Sequence, residues 1–287
     1  MILSALRKVK HAGFVASKRG RVVAREARFA ALTSVGSVVA SVRPYSFEGS
    51  NYRRSFLNRT VPPTGSPSEL PRRVFVVWTG DNPMTPNRIR NLNRLRRDLG
   101  LPVEVVTPET LDQWLVAGHP LHPAYRDLSL VHRSDYLRAY LMHHHGGGYV
   151  DLKAPRHSWD PVFAEADADP DAWLTGFREL SAASVVRLSG RLGHDLALHH
   201  RRLVGTAAFI VRSHTPLTAE WLREVERRLD YLAPQAAEHP GGIRGEVVGY
   251  PVSWTDLLGK VFQPLQLKYL DHVRVDDRLL LDFTDYQ

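Results

Sequence analysis

The chain has 287 residues, 43% of them hydrophobic and 24% charged, an ordinary composition for a globular protein and ample for a full core. It has no cysteine, which excludes disulfides, thiolate nucleophiles and cysteine metal sites and fits a reducing compartment. The formal net charge of +8 is uneven: residues 1–59 carry 12 Lys and Arg against Glu26 and Glu48, so the rest is nearly neutral. A near-neutral body argues against nucleic-acid binding, which needs a basic face of its own.

Taken in chain order, residues 1–59 read as a basic helical arm. It includes "FAALTSVGSVVASV" (29–42), which at 14 residues is too short for a span of roughly 20. Residues 1–42 are expected to form an amphipathic helix on an anionic membrane surface, or else a loose basic tail. Residues 60–71, with "VPPTGSPSELP", read as a linker, and 72–287 as the folded domain.

Within that domain "RRVFVVWTG" predicts a buried strand ending at Gly80. "TPNRIRNLNRLRRDLG" predicts a helix capped by Thr85, opened by Pro86 and ended by Gly100, with Ile89, Leu92, Leu95 and Leu99 as its buried stripe. "PVEVV" predicts a second strand, and the Thr-Pro start of "TPETLDQWL" a second helix. A longer helix is expected from Leu130 to His145, then a glycine turn and the strand "GYVDL". "DAWLTGF" and "RRLVGTAAFIVRS" predict strands, "TPLTAEWLREVERRLDYL" a late helix, and "HVRVDDRLLLDF" a closing strand. Such alternation predicts an α/β fold with a mostly parallel sheet.

The stretch "HHHGGGYVDLK" (143–153) sits at the centre of the functional reading. From Asp135 to His145 a helix rises about 15 Å at about 1.5 Å per residue. From Gly147 to Asp151 a strand returns roughly 13 Å at about 3.3 Å per residue. A tight glycine reversal therefore sets Asp151 level with Asp135. Asp135 and Arg138, three apart, share a helix face. The segment can thus gather Asp135, Arg138, Asp151 and Lys153 at the carboxyl end of a strand, where open α/β sheets bind ligands. Spacing alone leaves a second reading open, that of solvated surface ion pairs. His143, His144 and His145 read either as a metal cluster or, more commonly for consecutive residues at a helix end, as rings facing different ways. The glycine-rich "GGIRGEVVGYPVSWTDLLG" (241–259) is a candidate mobile loop, with Tyr250, Trp254, Asp256 and His239 as candidate ligand contacts.

"RSDYLRAYLMHHHGGGYVDLK" resembles the signature of the sugar-binding-region glycosyltransferases with a DxD motif, the capsular-polysaccharide-synthesis and mannosyltransferase-like groups. Their pattern is a helix with S-D-x-x-R, a Gly-Gly turn, an aromatic residue and D-x-D. "RRVFVVWTG" and "GTAAFIVRSHTPL" are similar to flanking segments, so the resemblance spans roughly residues 70 to 265. It implies a GT-A-like fold and transfer of a sugar, usually with retention, from a nucleotide sugar (a UDP-sugar is favoured) to a polysaccharide or glycolipid acceptor. A catalytically inactive nucleotide-sugar- or glycan-binding relative is the alternative. Carried over, Trp78 stacks near the base with Thr79 and Gly80 beside it. Asp135 and Arg138 hold ribose or donor sugar, and Gly147, Gly148 and Tyr149 complete the donor site. Asp151 matches the first Asp of the motif and contacts sugar, ribose or a Mn²⁺ or Mg²⁺ ion. Lys153 stands where the family has its second Asp, usually the metal ligand. An ammonium cannot ligate a metal but can bind a diphosphate directly, so Lys153 joins Asp151 as a candidate catalytic residue and the metal is put in question. The implied setting is cytoplasmic, peripheral on the inner membrane face.

Overall fold

The computed structural model describes residues 24, 26–36, 38, 45–60 and 70–284 of the chain. The hydrophobic runs form six strands: β1 (Val74–Val77), β2 (Val103–Val106), β3 (Gly147–Val150), β4 (Leu174–Arg178), β5 (Val204–Val211) and β6 (Val273–Val275). They make one sheet in the order β2-β1-β3-β5-β4-β6. β1 runs parallel to β2 and β3, and β4 parallel to β6, while β5 is antiparallel to both its neighbours. The fold is thus α/β with a mostly parallel mixed sheet. The chain leaves β1 toward β2 and returns on the other side to β3, so the strand order reverses between β1 and β3.

Both faces of the sheet are covered, because successive strand residues point to opposite sides. Phe75, Phe209 and Val211 enter one core with Trp221 and Phe262, whose ring centroids lie 4.3 Å apart. Val74, Val76, Ala208 and Ile210 enter the other, with Leu95, Trp159 and Phe163. Each fully buried Leu, Ile or Phe contributes roughly 1.5–3 kcal/mol.

The described helices are α1 (26–36), α2 (Pro86–Asp98), α3 (Leu130–His144), α4 (Asp160–Ala168), α5 (Gly190–Leu198), α6 (Pro216–Glu238) and α7 (Gly259–Lys268). Thr85, Ser129 and Thr215 each accept a hydrogen bond from the backbone N–H three residues on, so α2, α3 and α6 start where the caps dictate. Several expectations are corrected. The second Thr-Pro start, Thr107-Pro108, gives only a 3₁₀ turn, Leu111–Trp114. There the Thr110 hydroxyl bonds the Thr107 N–H and the Val105 carbonyl, offering the backbone an alternative to helix. Ile89 is 48% exposed, and Asn91, bonded to the Leu152 carbonyl, takes an interior place on α2 instead. The closing strand shrinks to Val273–Val275, followed by a 3₁₀ turn, Asp277–Leu279.

Part of the basic N-terminal region belongs to the folded body. Leu57 is 1% exposed in the main core. The Tyr52 hydroxyl donates to Asp195 at 2.6 Å, and Lys268 donates to the Leu57 carbonyl at 2.9 Å. On α1, Phe29 and Leu32 pack against the same core, and Thr33 accepts from the Ala182 N–H. Part of the apolar face of α1 is therefore covered by protein, while Val35 stays exposed; residues 1–23 lie outside the described residues. Among the described residues no helix is long and apolar enough to cross a membrane.

Candidate functional site

The carboxyl ends of β1, β3 and β4 open on one cavity of about 890 Å³. The N-terminal half of α3 forms one wall, and the rim comes from Arg187, Ile243, Arg244 and Trp254. The helix-to-strand reversal that delivers Asp151 depends on two glycines in the left-handed region, Gly146 at φ +63° and Gly147 at φ +92°. A Cβ on Gly147 would come within 2.8 Å of the Arg73 carbonyl, so the tight return excludes any side chain there.

At the floor of the cavity two cations and two carboxyl groups interlock. The Arg138 guanidinium lies 3.4 Å from Asp151 and 3.8 Å from Asp135. Its Nη1 also donates to the Thr206 carbonyl, and its plane lies 4.3 Å from the Tyr149 ring centroid. Lys153 Nζ is 2.5 Å from the other Asp151 oxygen, and the Tyr149 hydroxyl donates to Asp151 at 3.0 Å. Burial opposes ionisation of Asp151, but Arg138, Lys153 and Tyr149 outweigh it and hold the carboxyl below its usual range. Asp135 is 4% exposed; burial, only partly offset by Arg138 and reinforced by Asp151, pushes its pKa up to about 6. Two carboxylates thus share one guanidinium, and burial opposes the charge on Asp135 while its cationic neighbours favour that on Asp151.

Trp78 lies half-buried on the opposite wall, its Nε1 donating to the Asn82 carbonyl and Arg88 5.0 Å above its ring. The Thr79 hydroxyl donates to the Leu130 carbonyl at 2.6 Å, tying the end of β1 to the start of α3. A Cβ on Gly80 would strike Asn82 and Leu130. Trp78, Thr79, Gly80, Asp135, Arg138, Tyr149, Asp151 and Lys153 therefore all line the cavity. Gly147 and Gly148 do not; they lie at the start of β3 against Arg73 and Val74.

One lining residue had no signal in the sequence. Glu179, directly after β4, is 8% exposed and accepts a hydrogen bond from Gln263 at 2.7 Å, with no cationic partner among the described residues. Burial pushes its pKa up to about 7, against the smaller effect of the Gln263 hydrogen bond. "FREL" carries no motif, and only the strand end just before it places this carboxyl at the ligand edge of the sheet.

The other candidates separate. Trp254 is 61% exposed at the rim. Tyr250 turns inward, its hydroxyl meeting the Ser129 N–H and His132, so it pins the 241–250 loop to α3. Asp256 pairs with Lys260 at 2.6 Å, and His239 packs beside Gly249. His143, His144 and His145 lie at the far end of α3: the His143 and His144 rings pack together beside His214, with His143 near Thr218, while His145 turns to the Trp114 carbonyl. Burial, then neighbouring histidines, lowers the pKa of His143 to about 4 and that of His144 to about 3. Among the described residues no three His, Asp or Glu side chains are placed to hold a metal. At the cavity floor Asp135 and Asp151 flank Arg138, and Lys153 takes the second Asp151 oxygen.

The chain matches no protein-family model, no curated protein and no solved structure. Fold and site alone define its class: an α/β protein with a polar, charge-paired cavity at the switch point of its sheet.

Proposed function

We propose that the chain is a glycosyltransferase with a GT-A-like fold, moving a sugar from a nucleotide-sugar donor, a UDP-sugar by preference, to a glycan or glycolipid acceptor with retention. The observation that carries this reading is Arg138 held between Asp135 and Asp151, with Lys153 on the remaining Asp151 oxygen, in a cavity walled by Trp78. A cavity of about 890 Å³ suits a molecule of nucleotide-sugar size. Asp151 is a fixed acceptor for ribose or sugar hydroxyls. Trp78 offers an aromatic face to the base.

Lys153 is the group that meets the diphosphate. Its ammonium, oriented by Asp151, stabilises the charge that grows on the leaving nucleoside diphosphate. Transfer breaks the bond between the anomeric carbon and the diphosphate oxygen. The acceptor hydroxyl bonds that carbon, and its proton passes to the departing phosphate oxygen. Glu179, protonated or charged in comparable amounts near neutrality, is placed to bind a hydroxyl of the donor sugar or acceptor.

The test is release of nucleoside diphosphate across a panel of nucleotide sugars, with and without Mn²⁺, beside a thermal-shift series of nucleotides. We expect UDP to give the largest shift and turnover to survive EDTA. Complete loss in EDTA, restored by Mn²⁺, would refute the role given to Lys153. Nucleotide binding without turnover of any sugar would favour the non-catalytic relative, for which the same lysine is the supporting feature.

A further inference from the structure

A second hollow, of about 1020 Å³, opens beside the first. The two adjoin along the same two stretches of chain: Val186 and Arg187 line one and Leu188 and Ser189 the other, as do Gly259 and Lys260 on α7. Its walls are basic. Arg53, Arg54 and Arg59 come from the segment seated by Leu57. Arg191 comes from α5, Arg227 and Arg228 from α6, and Lys260 from α7. Among the described residues only one carboxylate, Glu224, lines the hollow against these seven cations.

This is a built surface rather than a scatter of side chains. Glu224 is 4% exposed and holds Arg227 by two bonds of 2.7 Å and Arg228 by one of 2.8 Å, fixing both guanidinium planes. Arg228 is held further by the Asp256 and Lys260 carbonyls. Asp256 and Asp195 pair with Lys260 and Arg191, yet even counting these two acids the cations stand seven to three. Arg53, Arg54 and Arg59 form no ion pair with any described residue. Like charges gathered around a concavity repel one another, and an oxyanion relieves that repulsion; arginine forks match phosphate oxygens in pairs.

We propose that this groove binds the diphosphate group of an anionic acceptor and so delivers the acceptor's sugar end to the neighbouring cavity. Its role as an acceptor subsite rests on the transferase reading; its capture of a diphosphate does not. A concave cluster of arginines, two of them held in place by Glu224, selects a compact, highly charged group over a plane of singly charged headgroups.

The experiment is calorimetric titration of the full chain with dodecyl diphosphate below its micellar concentration, and with inorganic pyrophosphate. Three proteins are compared: the wild type, the combined Arg53→Ala, Arg54→Ala and Arg59→Ala variant, and Lys153→Ala. We expect the triple variant to lose about tenfold or more in affinity for both probes. Its melting temperature and UDP binding should be unchanged, and Lys153→Ala should retain the groove affinity. Equal affinity in the triple variant and wild type would overturn the proposal. So would loss confined to Lys153→Ala, which would place all binding in the first cavity. Sedimentation with phosphatidylglycerol vesicles that depends on the three arginines, without saturable binding of either probe, would assign the surface to a membrane and overturn it too. Failure of every nucleotide sugar to turn over would refute the transferase reading and leave these binding results standing.

Discussion

Asp151 engages two cations on separate oxygens, so its removal does more than delete an acceptor. A carboxylate at a strand end would ordinarily support little packing. Here Arg138, 8% exposed, would be left with Asp135 alone, and Lys153 with a neutral neighbour. We expect Asp151→Asn to abolish nucleoside diphosphate release and to cost roughly 1–3 kcal/mol in urea unfolding, the price of a buried cation losing its partner. Glu179 sets the pH response. Its pKa is near 4.5 unfolded and about 7 folded, so between those values the native state holds the extra proton. Stability is then highest below about pH 4.5 for this group and falls as pH rises toward 7, by roughly 3 kcal/mol in all. Asp135, raised to about 6, adds a fall of the same sign over a lower range. Melting curves from pH 5 to 8 should show Glu179→Gln flattening the decline; an unchanged slope would assign the effect elsewhere.

At the scale of elements, the helix–glycine–strand reversal was legible because its three parts each have a local cause: a serine cap, glycines at positive φ, and a strand with apolar residues. The convergence of Asp135, Arg138, Asp151 and Lys153 followed from rise per residue together with the glycine reversal and the three-residue spacing on α3. What was not legible came from elements with no such punctuation. α7 contains Pro264, and Val261 to Leu267 are all buried, so no one-sided apolar stripe marks it as a helix. α4 and α5 have nine residues each and lack a side-chain cap bond. Glu179 and Arg187 reach the cavity through tertiary packing, with no spacing to betray them. The reversal itself is testable. Gly147→Ala forces a methyl onto the Arg73 carbonyl at a φ of +92°, and we expect a loss of roughly 2–4 kcal/mol in urea unfolding together with weakened UDP binding. Gly118, also at positive φ but with nothing within 4 Å of a built Cβ, is the control and should lose less.

Across the whole molecule, composition marked residues 1–59 as a separate basic region, whereas packing divides it. Charge is what a sequence displays; the scattered apolar side chains that anchor the segment, Leu57 deepest among them, are easily missed among twelve basic residues. Leu57→Ala should cost roughly 2–5 kcal/mol, because the main core would keep a vacancy of leucine size. Circular dichroism during urea titration measures it, and a cost under 1 kcal/mol would mean the segment is only loosely seated. The same stretch supplies Arg53, Arg54 and Arg59, so one plug serves two ends. Trimming the protein to its sheet, with a first residue near Leu70, would look tidy on a gel map. It would leave an oily socket uncovered and strip the neighbouring groove of three of its seven cations, so poor solubility and a spuriously feeble grip on polyanions would arrive together.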